Sequence, residues 1–403
     1  MRVLFTTRGS AGHLLPLVPF AHACRRAGHE VLVAAQEQNR GDVERTGLDF
    51  APVPDPPAEE WVPLMAQFPR LGIVQANEQM VGEFFAGIDT RAALPALRAV
   101  VERWKPDLVV RESWEYASTI VAEERAIPLV RVGLSLAAIE DRSTRLAAFR
   151  VDEQRVAAGL PADPAGERLR DTPYLTMVPE PLDAAVDHAG AVPARTHRFS
   201  AQEVAAEPPP LAQWWLGNDD PLVLVSFGSV AAGSHLPYFP AIYRAAIEAL
   251  APLRARILVT TGNPGDPQRL GSLPANVHVE RWVAQDAVAP HAAAMVCHGG
   301  YGSTLGALRH GVPLAVLPLF SMDQWANAAA VARAGAGIAL HEGTEGRPAL
   351  GLPADDVLAG IAPAVQRLIN DASFTIGASA IAAAARALPP VDAAVEVLRA
   401  YAT

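Results

Sequence analysis

The feature that most constrains the fold is a strand, a glycine-rich turn and a helix at the start of the chain. Residues 2–7 (RVLFTT) form a short apolar run of β-forming residues that stops at the turn 9–12 (GSAG). Apolar residues then recur at helical spacing over 14–27, and 30–35 (EVLVAA) follow as a second strand. Such a unit joins two parallel strands through a right-handed crossover. The opening therefore predicts a doubly wound parallel α/β sheet.

The same alternation runs through the chain in two blocks. Further strands are predicted at 50–53, 108–111, 129–133 and 174–178, and then at 222–227, 255–261, 277–282, 294–297 and 312–317. Between the blocks lie three consecutive prolines, 208–210, which can neither continue a helix nor join an interior strand. We predict two Rossmann-like domains that face a central cleft. The predicted ranges are an N-terminal domain at 1–205, a linker at 206–217, a C-terminal domain at 218–388, and a helix at 389–403 that packs back towards the N-terminal domain.

Composition narrows the functional classes. The net charge is -10, from 33 Lys+Arg and 43 Asp+Glu, and the arginines are scattered, which argues against nucleic-acid binding. The two cysteines, Cys24 and Cys297, lie far apart in apolar surroundings and are predicted to be buried thiols. Neither a signal-peptide pattern nor an unbroken apolar run of about 18 residues is present, so we predict a cytoplasmic protein without membrane insertion.

The densest signal in the second half is a strand that ends in a glycine-rich turn, 296–304 (VCHGGYGST). We expect a helix to begin at Ser303 or Thr304, so that backbone N–H groups and the helix dipole form a pocket for a phosphate. His298 at the strand tip can add a hydrogen bond or a charge. No lysine follows as in an ATP-binding loop, and the fingerprint of a dinucleotide site does not fit the first turn. The alternative is a tight, capped turn without a ligand.

Two flanking loops should open on the same edge of the sheet, 280–285 (ERWVAQ) and 317–324 (LPLFSMDQ). Trp282 offers a flat face for a nucleobase, unless it is a core residue. Asp323 and Gln324 suit neighbouring hydroxyl groups of a sugar, unless they only cap a helix.

Four motifs together resemble the nucleotide-sugar signature of family 1 glycosyltransferases of GT-B fold, in particular the actinobacterial enzymes that glycosylate natural products. They are FGS (227–229), RWVAQ (281–285), HGGYGST (298–304) and PLFSMDQ (318–324). The resemblance implies these donor contacts: Trp282 on the base, Val283 and Gln285 on the nucleoside, Ser229 near the pyrophosphate, His298, Gly300, Ser303 and Thr304 on the diphosphate, and Asp323 and Gln324 on the sugar. It implies no metal. The family usually has Pro where this chain has Ala284.

His13 is the candidate general base, because it follows the first glycine-rich turn and an imidazole can accept a proton near neutral pH. The segment GHLLP (12–16) resembles the GHxxP of the same family, whose His is the base. The family pairs it with an Asp in a PDLVxxD context, and here Glu112 stands at that position. A carboxylate there would orient the ring. The alternatives are a structural His13 and a salt bridge between Glu112 and an arginine.

These observations predict an inverting, metal-independent glycosyltransferase that moves a sugar, including a deoxysugar, from a TDP or UDP donor to a hydrophobic small molecule. Aromatic residues that could line the acceptor pocket, or belong to the core, are Trp61, Phe68, Phe84, Phe85, Trp114, Tyr116 and Phe149. We expect a monomer or a homodimer. Two other classes stay open: an NDP-sugar epimerase of the same fold, and a non-catalytic binding protein or partner subunit.

Overall fold

The computed structural model describes residues 1–183, 195–199, 219–233 and 236–402. The chain divides into two compact units, the first containing Met1–Val178, Ala185–Ala205 and Leu388–Thr403, and the second Pro179–Ala184 and Ala206–Ala387. The linker predicted at 206–217 lies outside the described residues.

The first unit is built on seven parallel strands in the order β3-β2-β1-β4-β5-β6-β7. Their bounds are β1 Arg2–Thr6, β2 Glu30–Gln36, β3 Asp49–Val53, β4 Leu108–Glu112, β5 Leu129–Val132, β6 Tyr174–Thr176 and β7 Arg195–Thr196. The central strands are buried on both faces, as expected for a parallel sheet covered by helices. The order reverses between β1 and β4, so this edge is the switch point where ligands of such sheets bind.

Helices pack on both faces of this sheet, and a long helical run lies between β3 and β4. The α-helices are α1 Ala11–Leu14, α2 Val18–Arg26, α3 Arg40–Arg45, α4 Ala58–Met65, α5 Ile73–Gln79, α6 Thr90–Trp104, α7 Ala117–Glu124, α8 Ala137–Ala157 and α9 Glu167–Arg170. A π-helix, Met80–Asp89, joins α5 to α6, and short 3-10 helices occur at Glu37–Asn39 and Phe68–Arg70.

The second unit contains six parallel strands in the order β10-β9-β8-β11-β12-β13, which is the same topology as the first six strands of the other sheet. The bounds are β8 Leu222–Ser226, β9 Arg256–Thr260, β10 Val277–Glu280, β11 Ala292–Cys297, β12 Leu314–Val316 and β13 Gly337–Ala339. Its switch point therefore lies between β8 and β11.

The helices of the second unit follow the same alternation. They are α10 Ala241–Leu250, α11 Gln285–Val288, α12 Tyr301–Leu308, α13 Met322–Arg333, α14 Asp355–Ala359, α15 Ile361–Asn370 and α16 Ala372–Ala387, with 3-10 helices at Pro267–Leu270 and Ala289–His291. Two helical stretches of the chain are each divided in two. Pro16, which has no N–H to donate, separates α1 from α2, and Gly360 separates α14 from α15.

The last helix, α17 (Ala394–Ala402), follows a 3-10 turn at Val391–Ala393 and belongs to the first unit. It packs against α2, and Asp392 accepts a hydrogen bond from Arg26 of α2 at 2.8 Å. This confirms that the chain returns to the N-terminal domain, as predicted. By length and composition alone, the stretch Ala372–Ala402 could span a membrane. This is weak evidence for a membrane span, because α16 and α17 each bury one face in the protein.

Candidate active site

In the first unit, His13 lies in the short helix α1, which follows β1 after a turn that requires glycine. Gly9 has a φ of 101°, and a Cβ at this position would lie 2.9 Å from Cδ2 of His13. The turn is held from both sides, because the N–H of Gly9 donates to Oε1 of Gln36 at 3.1 Å and its carbonyl accepts from Nδ2 of Asn39 at 2.6 Å. The imidazole is therefore packed on a backbone that cannot shift easily.

His13 is paired with the carboxylate predicted for it. Nδ1 of His13 lies 3.2 Å from Oε1 of Glu112, and Glu112 is fully buried while 14% of the His13 side chain is exposed. Glu112 also accepts the N–H of Arg8 on Oε1 at 3.3 Å and the N–H of Trp114 on Oε2 at 2.6 Å. Three donors thus fix both oxygens of the carboxylate, and Glu fits where the family usually has Asp. Within the described ranges no arginine side chain bonds to the carboxylate of Glu112, so the salt-bridge alternative is not observed.

Two aromatic rings surround the imidazole. The centroid of Phe85 lies 5.4 Å and that of Trp114 lies 5.2 Å from the centroid of His13, and the two rings lie 5.4 Å from each other. Of the other aromatic residues predicted for an acceptor pocket, Tyr116 is a core residue and Phe149 is exposed on α8. The π-helix supplies Phe85, and π-helical turns occur frequently at functional sites.

A buried ion pair beside this turn was not predicted from the sequence. Nε of Arg8 donates to Oδ2 of Asp89 at 2.8 Å, a second bond joins Nη2 to Oδ1, and Nη2 also donates to the carbonyl of Pro54 at 3.0 Å. Both side chains are almost entirely buried. Because the N–H of Arg8 bonds to Glu112, this pair ties the last residue of the π-helix to the His13 turn. The sequence signal is only a charged residue directly before the glycine-rich turn.

In the second unit, the predicted phosphate turn follows β11 and begins a helix. The helix starts at Tyr301 with Gly300 as its N-cap, two residues earlier than predicted, because the extended backbone of Gly300 already leads into it. Ser303 and Thr304 therefore lie in the first turn rather than before it. The first N–H groups of an α-helix have no acceptor within the helix, and Gly300 has no side chain to cap them. This helix end is suited to an anion.

His298 is enclosed by the glycines of two motifs. A Cβ at Gly228 would lie 2.7 Å from its Cε1, a Cβ at Gly300 would collide with its Nε2, and the ring of Phe320 stacks on it with centroids 6.2 Å apart. Burial lowers the pKa of His298 to about 4, and the carbonyl of Ser226 offsets this only in part. His298 is therefore neutral near pH 7 and serves as a hydrogen-bonding group rather than a charge. No described group bonds to its Nδ1 with ordinary geometry.

The turn is braced by a residue that was not predicted. Nδ2 of Asn327 in α13 donates to the carbonyl of Gly299 at 2.7 Å, and a Cβ at Gly299 would lie 2.8 Å from the carbonyl oxygen of Gln324. The hydroxyl of Thr304 is buried, and none of the described residues makes a hydrogen bond of ordinary geometry to it. A buried Asn in an otherwise apolar helical segment is the signal that could have identified this contact.

The loop predicted to bind the nucleoside, 280–285, exposes its tryptophan to solvent. Trp282 is 51% exposed, which is the opposite of a core residue and leaves its face available for stacking, whereas Val283 is buried. Gln285 uses its Nε2 to donate to the carbonyl of Ser303 at 3.0 Å, so its side chain also ties this loop to α12. Ser229 is exposed after the end of β8.

The two residues predicted to bind the sugar differ in burial and in hydrogen bonds. Gln324 is buried, and its Oε1 accepts the N–H groups of Leu319 at 2.8 Å and Phe320 at 3.1 Å, so its oxygen holds the loop after β12. Asp323 is half-buried in the first turn of α13 and accepts a hydrogen bond from Ser321. Of the two, Asp323 is the side chain with exposed surface for a ligand.

The remaining nucleophilic groups are not part of either site. Cys24 and Cys297 are buried free thiols, as predicted, and burial raises the pKa of each to about 12. Among the described residues, no group of three or more His, Cys, Asp or Glu side chains could hold a metal ion.

Comparisons with known proteins agree with the resemblance found in the sequence. The profile "Erythromycin biosynthesis protein CIII-like, N-terminal domain" matches residues 22–188, and the profile of the corresponding C-terminal domain matches residues 244–400. The L-demethylnoviosyl transferase of Streptomyces niveus is 31% identical over 349 residues, covering 86% of each chain. The 4'-demethylrebeccamycin synthase of Lentzea aerocolonigenes is 30% identical over 380 residues, covering 85% of this chain and 88% of that protein.

The fold agrees as well. The crystal structure of glycosyltransferase VinC in complex with DTDP superposes with a TM-score of 0.75 at 24% identity and covers 100% of this chain and 99% of its own. Two doubly wound units of this kind are those of GT-B glycosyltransferases, as predicted. The chain belongs to the erythromycin biosynthesis protein CIII-like family of natural-product glycosyltransferases.

Proposed function

We propose that this enzyme transfers a sugar from a TDP or UDP donor to a hydrophobic natural-product acceptor with inversion at the anomeric carbon and without a metal. His13 takes the proton of the acceptor hydroxyl as its oxygen bonds to the anomeric carbon. The bond from that carbon to the diphosphate oxygen breaks, and the nucleoside diphosphate leaves as an anion. One direct displacement inverts the configuration.

The observation that carries this proposal is the His13–Glu112 pair at the switch point of the first sheet. The carboxylate lies 3.2 Å from Nδ1, so this nitrogen carries the hydrogen and Nε2 is left as the basic atom. As the acceptor loses its proton, Glu112 stabilises the imidazolium that forms. General bases of this kind contribute roughly 10²- to 10⁴-fold to the rate.

The donor assignments use the second unit. A leaving diphosphate gains charge in the transition state, and preorganised N–H and hydroxyl donors stabilise such charge. The N-terminus of α12, the neutral ring of His298 and the side chains of Ser303 and Thr304 supply these donors. We assign Trp282 to the base, Val283 and Gln285 to the nucleoside loop, Ser229 and Gly300 to the diphosphate, and Asp323 to the sugar, with Gln324 holding its loop.

The acceptor proposal depends on the surroundings of His13. Phe85 and Trp114 present carbon-rich surface beside the base, which favours an apolar aglycone over a hydrated polysaccharide. We therefore expect the reactive hydroxyl to be carried on a ring system or a lactone with little charge.

The test incubates the enzyme with TDP- or UDP-hexoses and deoxyhexoses, with and without a library of aglycones, and with EDTA in parallel. We expect a product heavier by one sugar residue, only when an acceptor is present, unchanged by EDTA, and with the opposite anomeric configuration by NMR. Retention of configuration or loss of activity in EDTA would contradict the mechanism. Conversion of the donor alone would indicate the epimerase alternative, which the similarity to L-demethylnoviosyl transferase does not support.

A further inference from the structure

A buried row of polar side chains crosses the first sheet behind the His13–Glu112 pair. Thr6, Arg111, Arg131 and Tyr174 occupy matching register positions on the neighbouring strands β1, β4, β5 and β6. Each of the four is buried, and the side chain of Arg111 has no exposed surface. Burying a guanidinium group costs several kcal/mol unless hydrogen bonds compensate, and here a second arginine lies beside it.

The hydrogen bonds of Arg111 all go to one short loop. Its Nη1 donates to the carbonyls of Glu112 at 2.9 Å, Ser113 at 2.8 Å and Glu115 at 3.1 Å. These are its hydrogen bonds within the described part of the chain. The 112–115 loop carries Glu112 at its first position and Trp114 at its third, and both of these residues contact His13. One cation therefore binds the backbone on both sides of the residues that hold the base.

The charges around Arg111 come from several elements. Arg131 on β5 repels it, whereas Glu112, Glu115 and Tyr116 of its own strand and loop favour its charged form, and burial has the largest effect in lowering its pKa. Glu140 of α8 is bonded to the N–H groups of Leu134 and Ser135 and is also influenced by Arg111. Burial raises the pKa of both Glu115 and Glu140.

We propose that Arg111 is a positioning residue for the transfer reaction: by holding the 112–115 loop, it keeps the carboxylate of Glu112 against Nδ1 of His13. The inference rests on the proposed role of His13 as the base. It acts through Glu112, which spans the distance between the loop backbone and the imidazole. Displacing a reacting group by about 1 Å can cost roughly 10²-fold in rate, so a modest loosening of this loop is enough to be measured.

The experiment is a double-mutant cycle with a matched control. Arg111→Lys removes the planar donor but keeps the charge, and Arg131→Lys makes the same change at the neighbouring buried position, whose polar contacts go to Thr144 and Glu140 instead of the loop. We expect Arg111→Lys to lower kcat by about tenfold or more with KM for the donor unchanged within about twofold. Arg131→Lys should change kcat by less than about twofold at a similar loss of Tm.

The pH–rate profile separates positioning from simple destabilisation. A histidine that loses a neighbouring carboxylate is protonated at lower pH, so the acid limb for Arg111→Lys should move to lower pH, while that for Arg131→Lys should stay in place. In the Glu112→Gln background, Arg111→Lys should have little further effect on kcat. Equal losses of kcat in the two lysine variants with unmoved limbs, or effects of Arg111→Lys and Glu112→Gln that multiply, would overturn the proposal.

A second variant and a hydrogen-exchange measurement allow the proposal to be tested even if Arg111→Lys does not fold. Arg111→Gln replaces Arg111→Lys in the cycle if the lysine variant does not fold. In the wild-type enzyme the N–H of Trp114, bonded to Glu112, should exchange with solvent as slowly as core amides, and fast exchange would refute a rigid loop. If His13→Ala proves fully active, the proposed base fails. If His13→Ala is inactive but the Arg111 results are negative, only the present inference fails.

Discussion

Each of the two units has a histidine at the switch point of its sheet, but the two histidines follow non-equivalent strands. His13 follows β1, whereas His298 follows β11, which corresponds to β4 of the first sheet, and each ring packs on a glycine with positive φ, Gly9 or Gly228. His13 has a carboxylate 3.2 Å from Nδ1 and a partly exposed edge, whereas burial lowers the pKa of His298 to about 4. A nearby carboxylate and access to solvent suit the role of base that we propose for His13, and their absence suits the role of neutral donor that we propose for His298.

The residues that hold the two histidines in place also differ in charge. The residues that support His13 are charged and come from distant segments of the chain. They are Glu112, whose carboxylate accepts three hydrogen bonds, and the Arg8–Asp89 ion pair. The groups that support His298 and its turn are uncharged: glycines, the ring of Phe320 and the side-chain amide of Asn327. A group that changes its charge during the reaction needs countercharges, whereas a group that stays neutral needs only to be held in position.

The comparison predicts its largest effect at the base. His13→Ala should lower kcat by about 10³-fold, because the variant loses the imidazole that we propose as the general base. Affinity for TDP, measured by calorimetry, should stay within about twofold of the wild type. If mass spectrometry shows that this variant forms product normally, His13 is not the base and the proposed difference between the two histidines is wrong.

A smaller effect is expected for the paired change His298→Ala with Thr304→Ala. Each lost hydrogen bond to a charged group is worth about 1.5 to 3 kcal/mol, so the loss of two should lower affinity for TDP by at least roughly 10²-fold. Calorimetry measures this directly, with Thr260→Ser on β9, two strands away from β11, as a control for general effects of substitution in this sheet. If TDP binds to the double variant as tightly as to the wild type, the diphosphate is held elsewhere.

The smallest effect concerns the stability of the fold at acid pH. The unfolded chain protonates His298 below about pH 6.5, whereas the folded chain resists this until about pH 4, so stability due to this residue is present above pH 6.5 and is lost as the pH falls. Relative to a His298→Asn variant, the wild type should lose about 2 kcal/mol between pH 7.5 and pH 5 in urea unfolding. Parallel pH curves for the two proteins would show that His298 is charged in the folded state.

Local sequence patterns were sufficient for the sheets and for the positions of both turns. Short β-rich runs punctuated by glycine predicted the central strands within a few residues, and only the two- and three-residue strands Arg195–Thr196 and Gly337–Ala339 were not predicted. The pairing of His13 with Glu112 was predicted from family resemblance, and its place at a switch point follows from the strand order.

The contacts that support the turns could not be predicted, because they join segments far apart in sequence. Arg8 and Asp89 are 81 residues apart, and Asn327 meets Gly299 across a strand and a helix. The side chain of Gln324 was predicted to bind a sugar, and the sequence did not show that its oxygen accepts two backbone N–H groups. A residue type indicates which bonds are available, but only the packed chain shows which partner takes them.

The π-helix between α5 and α6 has a consequence for how this enzyme can change. Its wider turns bring Phe85 to His13 and Asp89 to Arg8 at once, and each residue of an ordinary α-helix advances by about 100°. Deleting a single residue from Met80–Asp89 would rotate the residues on one side of the deletion by about 100° and turn Phe85 or Asp89 away from its partner. The length of this segment is therefore as important for the two contacts as the identity of Phe85 and Asp89.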